Sequence, residues 1–201
     1  ASDSGTAEDD ITNDTTPTLN GVAVAGSTVT IYDGAAQVAQ TTAAGDGTWS
    51  VTLPALSVGA HTLTAISTVA AEDSAPSDAL ALTIDTTAPG VALSYSAIDT
   101  THYRVTLTFT EAPRGLTLAD VQAVGGGGSG PQLSNLAATG DPRVFTVDLA
   151  AAAGPGEENT VVRVQLASYT DAAGNPGGTG QTTVPLQAAP LSNDNPAPET
   201  V

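Results

Sequence analysis

The amino-acid sequence predicts an all-β fold made of two tandem antiparallel β-sandwiches, each with about seven strands. Short stretches alternate apolar and polar residues between clusters of Gly, Asp, Pro and Ser, whereas helical periodicity is nearly absent. The segment at residues 14–19 is nearly repeated 71 positions later at 85–91, so two modules begin in the same way. We therefore expect one domain at residues 1–85, a second at 86–188 and a linker at 189–201 towards a following repeat.

The first module shows six clear strands, so one strand is hidden or one connection crosses the sandwich. Trp49 is the only tryptophan, and in a chain with 3% aromatic residues we expect it to anchor the core rather than to form a ligand-stacking platform. The most distinct strands of this module, each next to a turn signal, are residues 28–32, 49–53, 61–66 and 80–84.

The second module shows seven strands. An odd number of antiparallel strands places chain entry and chain exit at opposite ends of a sandwich, as a linear string of domains requires. We expect a helical turn at residues 116–120 and a flexible glycine loop at 125–128, which no lysine-bearing helix follows as a phosphate site would need. The predicted strands are residues 91–96, 103–110, 121–124, 132–139, 143–149, 160–168 and 181–186.

Composition and charge exclude several classes of function. The chain has 21 acidic residues, four arginines and no lysine, and its net charge of −17 excludes an ordinary nucleic-acid binder and binding to anionic membranes. Residues 1–85 hold 11 of the acids and no basic residue. Cysteine is absent, so no disulfide can stabilise the domains. A bound cation is the remaining candidate for a stabiliser, because carboxylates are hard ligands for ions such as Ca²⁺. The alternative is a solvated acidic surface that keeps a secreted protein soluble.

No catalytic arrangement is recognisable, and we expect no enzyme. His61 and His102 are the only candidates for a general base near neutral pH, and no serine lies in a recognisable nucleophile setting. No apolar run approaches the roughly 18 residues of a membrane span, and no signal peptide opens the sequence. The first residue is not methionine and residues 189–198 are linker-like, so we expect an excised part of a longer array.

Five short motifs connect both modules to a known family. They are ITNDTTPTL at residues 11–19, GTWS at 47–50, FTEA at 109–112, LAD at 118–120 and YTDAAGN at 169–175. With these motifs, most of residues 10–187 resembles bacterial Ig-like repeats of large surface adhesins of the RTX/Bap-like type. The resemblance implies Ig-like sandwiches that act as extender modules of an adhesin exported by type I secretion, with Ca²⁺ commonly bound near the joints between repeats.

The strand order of the second module gives such an ion a position. If the first strand leaves the entry end, the second and sixth strands return to it, which brings Glu111, the loop at 171–175 and Asp85 together. Asp85, Glu111 and Asp171 could then supply carboxylate oxygens, and Asn175 could supply an amide oxygen to a shell of about six to eight ligands. The alternative for this loop is a plain turn in which Asp and Asn accept hydrogen bonds from backbone N–H groups.

The acidic entry segment, residues 1–14, also groups possible metal ligands at the start of a module. By analogy, Asp9 and Asp14 are the expected ligands at a joint to a preceding domain, and the alternative is a disordered acidic stub. The first module has VAAED at residues 69–73 where the family loop is DAAGN, so a matching loop ligand is in doubt and Asp73 is the candidate replacement.

We therefore expect a non-catalytic, extracellular extender or stalk repeat of a bacterial cell-surface adhesin, stiffened by Ca²⁺ and supporting cell adhesion or biofilm formation. Its expected partners are neighbouring Ig-like repeats of the same chain, with no nucleic acid, no direct membrane insertion and a monomeric state. Two alternatives remain open. One is a module that itself binds a glycan, ice or a protein, for which Tyr32, Tyr95 and Tyr103 are the aromatic candidates. The other is an accessory domain of a secreted hydrolase.

Overall fold

A computed structural model describes residues 4–99, 101–125, 131–150, 159–164 and 168–185. These residues form fifteen β-strands and one short 3-10 helix, which confirms the predicted all-β fold. They divide into two compact units. The first contains Ala1–Pro89, Glu111–Gly115 and Ala167–Gly177, and the second contains Gly90–Thr110, Leu116–Leu166 and Gly178–Val201.

The first unit contains a larger sheet with strand order β1-β8-β6-β3-β4, in which β7 also pairs with β6, and a smaller sheet of β2 and β5. Only β1 and β8 pair in parallel among these strands; the other pairs are antiparallel. The bounds are β1 Ile11–Thr12, β2 Thr18–Val22, β3 Thr28–Asp33, β4 Ala36–Thr42, β5 Thr48–Thr52, β6 Gly59–Val69, β7 Glu72–Asp73 and β8 Leu80–Ile84. Six of these strands have five or more residues, as the sequence indicates, and the short β1 and β7 carry no clear alternation.

The core of the first unit lies between its two sheets. Alternate residues of each strand point inward, and each buried aliphatic side chain contributes about 1.5–3 kcal/mol to folding. The buried core residues are Leu19, Val29, Ile31, Ala43, Leu53, Leu63, Leu82 and Ile84. Trp49 is half-buried and packs against this cluster, and a side chain at Gly21 would meet its ring atoms at 2.6 Å.

The second unit contains a four-stranded sheet, β12-β13-β10-β9, and a three-stranded sheet, β11-β14-β15. All pairs are antiparallel, and the seven strands lie where the sequence predicts them. Their bounds are β9 Val91–Ala97, β10 His102–Phe109, β11 Val121–Gly125, β12 Gln132–Ala138, β13 Val144–Ala150, β14 Asn159–Val164 and β15 Gln181–Pro185. The predicted helical turn is the 3-10 helix Leu118–Asp120.

Several predictions fall partly outside the described residues. These are residues 126–128 of the predicted loop, 165–167 and 186 of the predicted strands, residues 1–3 of the entry segment, and the whole of the predicted linker. Within the described part of the chain, no helix has the length and apolar character needed to cross a membrane.

Candidate metal centre

Three carboxylates meet at strand ends in the first compact unit. Asp85 directly follows β8, Glu111 lies two residues beyond β10, and Asp171 lies in the loop between β14 and β15. One carboxylate oxygen from each residue lies within 4.8 Å of the others. The structure therefore brings together three residues that the strand order placed at one end of the second module.

Backbone hydrogen bonds hold the segments that carry these acids. Arg114, three residues after Glu111, pairs with Thr170, one residue before Asp171, through two N–H···O=C bonds. At the other edge of the same loop, the N–H of Thr6 donates to the carbonyl of Ala172 at 2.9 Å. The loop is thus fixed on both sides, which sets the position of the Asp171 carboxylate.

Asn175 orients two of the three acids. Its backbone N–H donates to Oδ1 of Asp171 at 2.9 Å, and its Nδ2 donates to Oδ2 of the same carboxylate at 2.8 Å. The same Nδ2 donates to the backbone carbonyl of Asp85 at 2.9 Å. Asp171 is 2% exposed and Asn175 is 6% exposed. The turn expected as the alternative is present at Asp171, which accepts the backbone N–H of Asn175, whereas the Asn175 side chain acts as a donor. Asn175 supports the cluster through its amide nitrogen, whereas the sequence suggested its amide oxygen as a ligand.

The electrostatics of the cluster favour a bound cation. Partial burial raises the pKa of Glu111, and the negative charges of Asp85 and Asp171 raise it further. Among the described residues, no ion pair links these three acids to an arginine or histidine. Oxygens that each lie about 2.4 Å from one Ca²⁺ are at most about 4.8 Å apart, and the spacing of the three carboxylate oxygens is compatible with this requirement.

Asp9 and Asp14, the ligands expected in the entry segment, are not part of the three-acid cluster. Oδ1 of Asp9 accepts the N–H of Ile11 at 3.0 Å, and Oδ1 of Asp14 accepts the N–H of Thr16 at 2.8 Å. Neither belongs to a cluster of three possible metal ligands in the part of the chain that the structure describes. Asp85 makes the same turn as Asp14, since its Oδ1 accepts the N–H of Thr87 at 2.9 Å. The repeated sequence at the two module entries therefore forms a repeated turn, and among the described residues only the second turn belongs to a cluster of three acids.

Ser4 is a contact of the loop that the sequence pattern does not indicate. Its Oγ donates to the carbonyl of Ala173 at 2.6 Å, accepts the N–H of Asn13 at 2.9 Å and lies 3.0 Å from Oγ1 of the buried Thr12. From Ser4 onwards, the entry segment thus has defined partners. Ser4 lies in an irregular acidic segment that gives no pattern from which this role could have been predicted.

A second missed feature is an acid–histidine pair in the same unit. Asp33 ends β3, and its Oδ2 lies 2.7 Å from Nδ1 of His61 on β6. The other ring nitrogen of His61 lies 2.8 Å from the carbonyl of Ser57. The hydrogen bond to Asp33, followed by the one to Ser57, raises the pKa of His61. The sequence signal was the acid at the end of the second long strand, which corresponds to Glu111 in the second module.

Two of the three tyrosines that were candidates for ligand binding pack against each other in the second unit. Tyr103 is 3% exposed and belongs to the core of the second unit, where Tyr95 packs against it edge to face at a centroid distance of 6.3 Å. Tyr32 lies on β3 of the first unit and is half-buried.

The comparison with family models supports the predicted Ig-like fold class. Two family models, both described as bacterial Ig-like domain, match residues 1–86 and 85–187. Among solved structures, the chain is similar to the fibronectin(III)-like modules of Clostridium thermocellum CbhA, at 15% identity and a TM-score of 0.38 over 94% of this chain and 93% of that one. It is also similar to the BSP domain of a biofilm associated protein, at 18% identity and a TM-score of 0.28 over 90% of this chain but 29% of that one. The D0-D1 domain of intimin matches at 14% identity and a TM-score of 0.28 over 86% and 92% of the two chains. No curated protein matches the sequence.

Proposed function

Because the chain belongs to the bacterial Ig-like domain family, we propose that it is a non-catalytic structural repeat of a bacterial cell-surface adhesin, in which Asp85, Glu111 and Asp171 bind Ca²⁺. The family model that covers more than half of the chain supports a modular, tandem architecture. In this proposal the repeats extend an adhesive part of a longer protein away from the cell, and they serve cell adhesion or biofilm formation.

The carboxylate cluster is the observation that carries the proposal. Its three acids come from segments separated by 26 and 60 positions along the chain, so one ion would hold together parts of the sequence that no disulfide can link. Asp85 lies where the two matched ranges overlap. An ion at this position would stiffen the segment through which one repeat passes into the next along the sequence.

The charge of the chain supports an extracellular site of action. Extracellular Ca²⁺ modules bind with dissociation constants of roughly 10⁻⁴–10⁻³ M, well above the free concentration inside cells. A chain with a net charge of −17 would therefore remain without ions before export and bind them afterwards. This order of events fits secretion in a loose state, as in type I secretion, followed by stiffening outside the cell.

Calorimetric titration of Ca²⁺ into chelator-treated protein tests the proposal. The informative variant is Asp85→Asn/Glu111→Gln, because the new amide oxygen at position 85 can still accept the turn hydrogen bond from Thr87 while two of the three charges are lost. The matched control is Asp46→Asn/Glu72→Gln, which removes the same two charges from exposed positions outside the cluster and keeps an oxygen at position 46 for the turn hydrogen bond from Thr48. We expect saturable binding in the wild type and the control, and the loss of one site in the informative variant.

The absence of saturable Ca²⁺ binding to the wild type would contradict the metal site. A purely structural role also predicts that the Ca²⁺-loaded protein gives no signal on a glycan array. Specific glycan binding that persists after chelation would favour an adhesive module over an extender.

A further inference from the structure

The sandwich of the first unit is closed along one side and open along the other. On the closed side, β4 lies next to β5, and Oγ1 of Thr41 donates to the carbonyl of Ser50 at 3.3 Å. On the open side, between β2 and the segment that leads to β8, lies a cavity of about 510 Å³. Apolar side chains of both sheets line it, including Leu19, Ile31 and Leu63. Its volume lies within the roughly 300–1,000 Å³ typical of ligand pockets.

Strand β2 turns part of its backbone towards this open side. The N–H of Ala23 donates to Gly47 at 2.8 Å, and the N–H of Leu53 donates to Pro17 at 3.0 Å, so odd-numbered positions of β2 bond to β5. Because backbone groups alternate in an antiparallel ladder, Asn20 and Val22 direct their N–H and C=O groups away from β5. In the described part of the chain, no strand pairs with this edge.

The edge lacks the features that usually prevent edge-to-edge pairing. Residues 18–24 contain no charged side chain and no proline. Val22 is 81% exposed and Val24 is 62% exposed. Edge strands of soluble proteins are commonly protected by charge, proline or a bulge, and an unprotected apolar edge is a template for another strand.

The cavity also presents groups that an occupant could contact. One face of the Trp49 ring rests on Gly21, and the residue lines the cavity.

Charge restricts which occupant fits. Residues 1–85 carry 11 acids and no lysine or arginine, and Asp78 lies in the lining of the cavity. This field disfavours anionic ligands, and it disfavours a second copy of a chain with a net charge of −17. It favours an occupant that combines apolar side chains with positive charge.

We propose that the open side of the first unit docks an extended, basic and apolar segment of a partner protein, which pairs with the edge of β2 at Asn20 and Val22 and places an apolar side chain in the cavity beside Trp49. Main-chain hydrogen bonds to Asn20 and Val22 supply affinity in this mode, and the alternate side chains supply specificity. This binding site is separate from the carboxylate cluster and does not require Ca²⁺.

Fluorescence of Trp49 tests the proposal directly, because the chain has one tryptophan. The probe is a short peptide of alternating valine and lysine, and its matched control is the valine and glutamate peptide. We expect a saturable blue shift with the lysine peptide and none with the glutamate peptide. Amide hydrogen exchange at Asn20 and Val22 should slow in the same titration.

A matched pair of variants locates the site. Val22→Lys adds charge to the proposed edge, and Val58→Lys adds the same charge at a valine that is 59% exposed and outside the cavity lining. We expect Val22→Lys to weaken binding of the lysine peptide by about tenfold or more and Val58→Lys to leave it nearly unchanged.

Three results would overturn the proposal. The first is no fluorescence shift and no exchange protection with the lysine peptide. The second is an equal response to both peptides, which would remove the charge argument. The third is protection of the same amides without peptide that increases with protein concentration, since this would identify a second copy as the occupant.

Discussion

Each of the two modules has an acidic residue at the end of its second long strand, but the two acids have different partners. In the first module, Asp33 ends β3 and lies 2.7 Å from Nδ1 of His61. In the second, Glu111 follows β10 and faces Asp85 and Asp171, with no cation from the described residues. The same strand-end position is therefore paired with a histidine in one module and grouped with two further acids in the other, where the proposed function places a Ca²⁺ ion. Stability at the first position should respond to pH, and stability at the second should respond to the supply of Ca²⁺.

Addition of Ca²⁺ should produce the largest difference between the two positions. An ion at about 100 times its dissociation constant stabilises a folded state by about 2.7 kcal/mol if it binds only that state. Thermal unfolding of the wild type should shift accordingly between chelator and Ca²⁺. The shift should disappear in Asp85→Asn/Glu111→Gln and persist in His61→Gln, which alters only the pair in the first module. A Ca²⁺ shift of equal size in both variants would refute the assignment of the ion to the second position.

The strand pattern was enough to predict where the acids of the second module meet. Glu111 and Asp171 follow strands that run in the same direction, and a strand count fixes which end they reach. The pairing of Asp33 with His61 was not predictable in this way, because it depends on the register between β3 and β6, which places Asp33 opposite Leu63. The contacts of Ser4 depend on the path of an irregular segment, for which periodicity carries no information.

A substitution in the entry segment should weaken the proposed Ca²⁺ site without changing any of its three acids. Gly5 has φ of +73°, and a side chain there would collide with the carbonyl oxygen of Ala172, in the loop that carries Asp171. Gly26 has φ of +75° with nothing within 4 Å of such a side chain. Both Gly→Ala changes incur a backbone strain of about 1 kcal/mol, and Gly5→Ala should lose about 1 kcal/mol more.

Chemical denaturation of the two glycine variants measures this difference, and calorimetry measures its effect on Ca²⁺. We expect Gly5→Ala to bind Ca²⁺ more weakly than the wild type, because the loop loses its support from Thr6. Gly26→Ala should bind as the wild type does. Equal stability and equal affinity in the two variants would show that the entry segment does not support the loop.

His61→Glu should convert the first position into a like-charge pair. The His61 side chain is 9% exposed and Asp33 is 26% exposed, so we expect a loss of about 1 kcal/mol in the free energy of unfolding. His102→Glu is the matched control, because His102 also contacts an aspartate, Asp99, but both side chains are more than half exposed. Water should screen that pair, and the loss there should be smaller.

Ca²⁺ should not rescue His61→Glu, because two carboxylates at this site do not form the three-acid set found around Glu111. Denaturant unfolding with and without Ca²⁺ gives the comparison. Rescue by the ion to wild-type stability would mean that any close pair of acids in this chain can bind Ca²⁺, and the contrast between the modules would then be lost.

The pH dependence of the two positions should show the smallest effect. The folded-state pKa of His61 is raised above the ordinary value of 6.5, mainly by its hydrogen bond to Asp33. The protonated ring is thus favoured by folding, so its contribution is complete below about pH 6.5 and declines as pH rises through the folded pKa. The stability gap between wild type and His61→Gln should follow this course, with a size below about 1 kcal/mol.

Ionisation of Glu111 should affect the stability of the folded state at lower pH than ionisation of His61. Its folded pKa is raised above the ordinary value of 4.5 by burial and by its two acidic neighbours. Without Ca²⁺, the charged form is disfavoured by folding, so Glu111→Gln should become more stable than the wild type as pH rises above about 4.5. With Ca²⁺ at neutral pH the order should reverse, because the glutamine variant loses an ion ligand. Denaturation series in chelator and in Ca²⁺ measure both orders, and the same order in both would mean that the charge of Glu111 is not balanced by an ion.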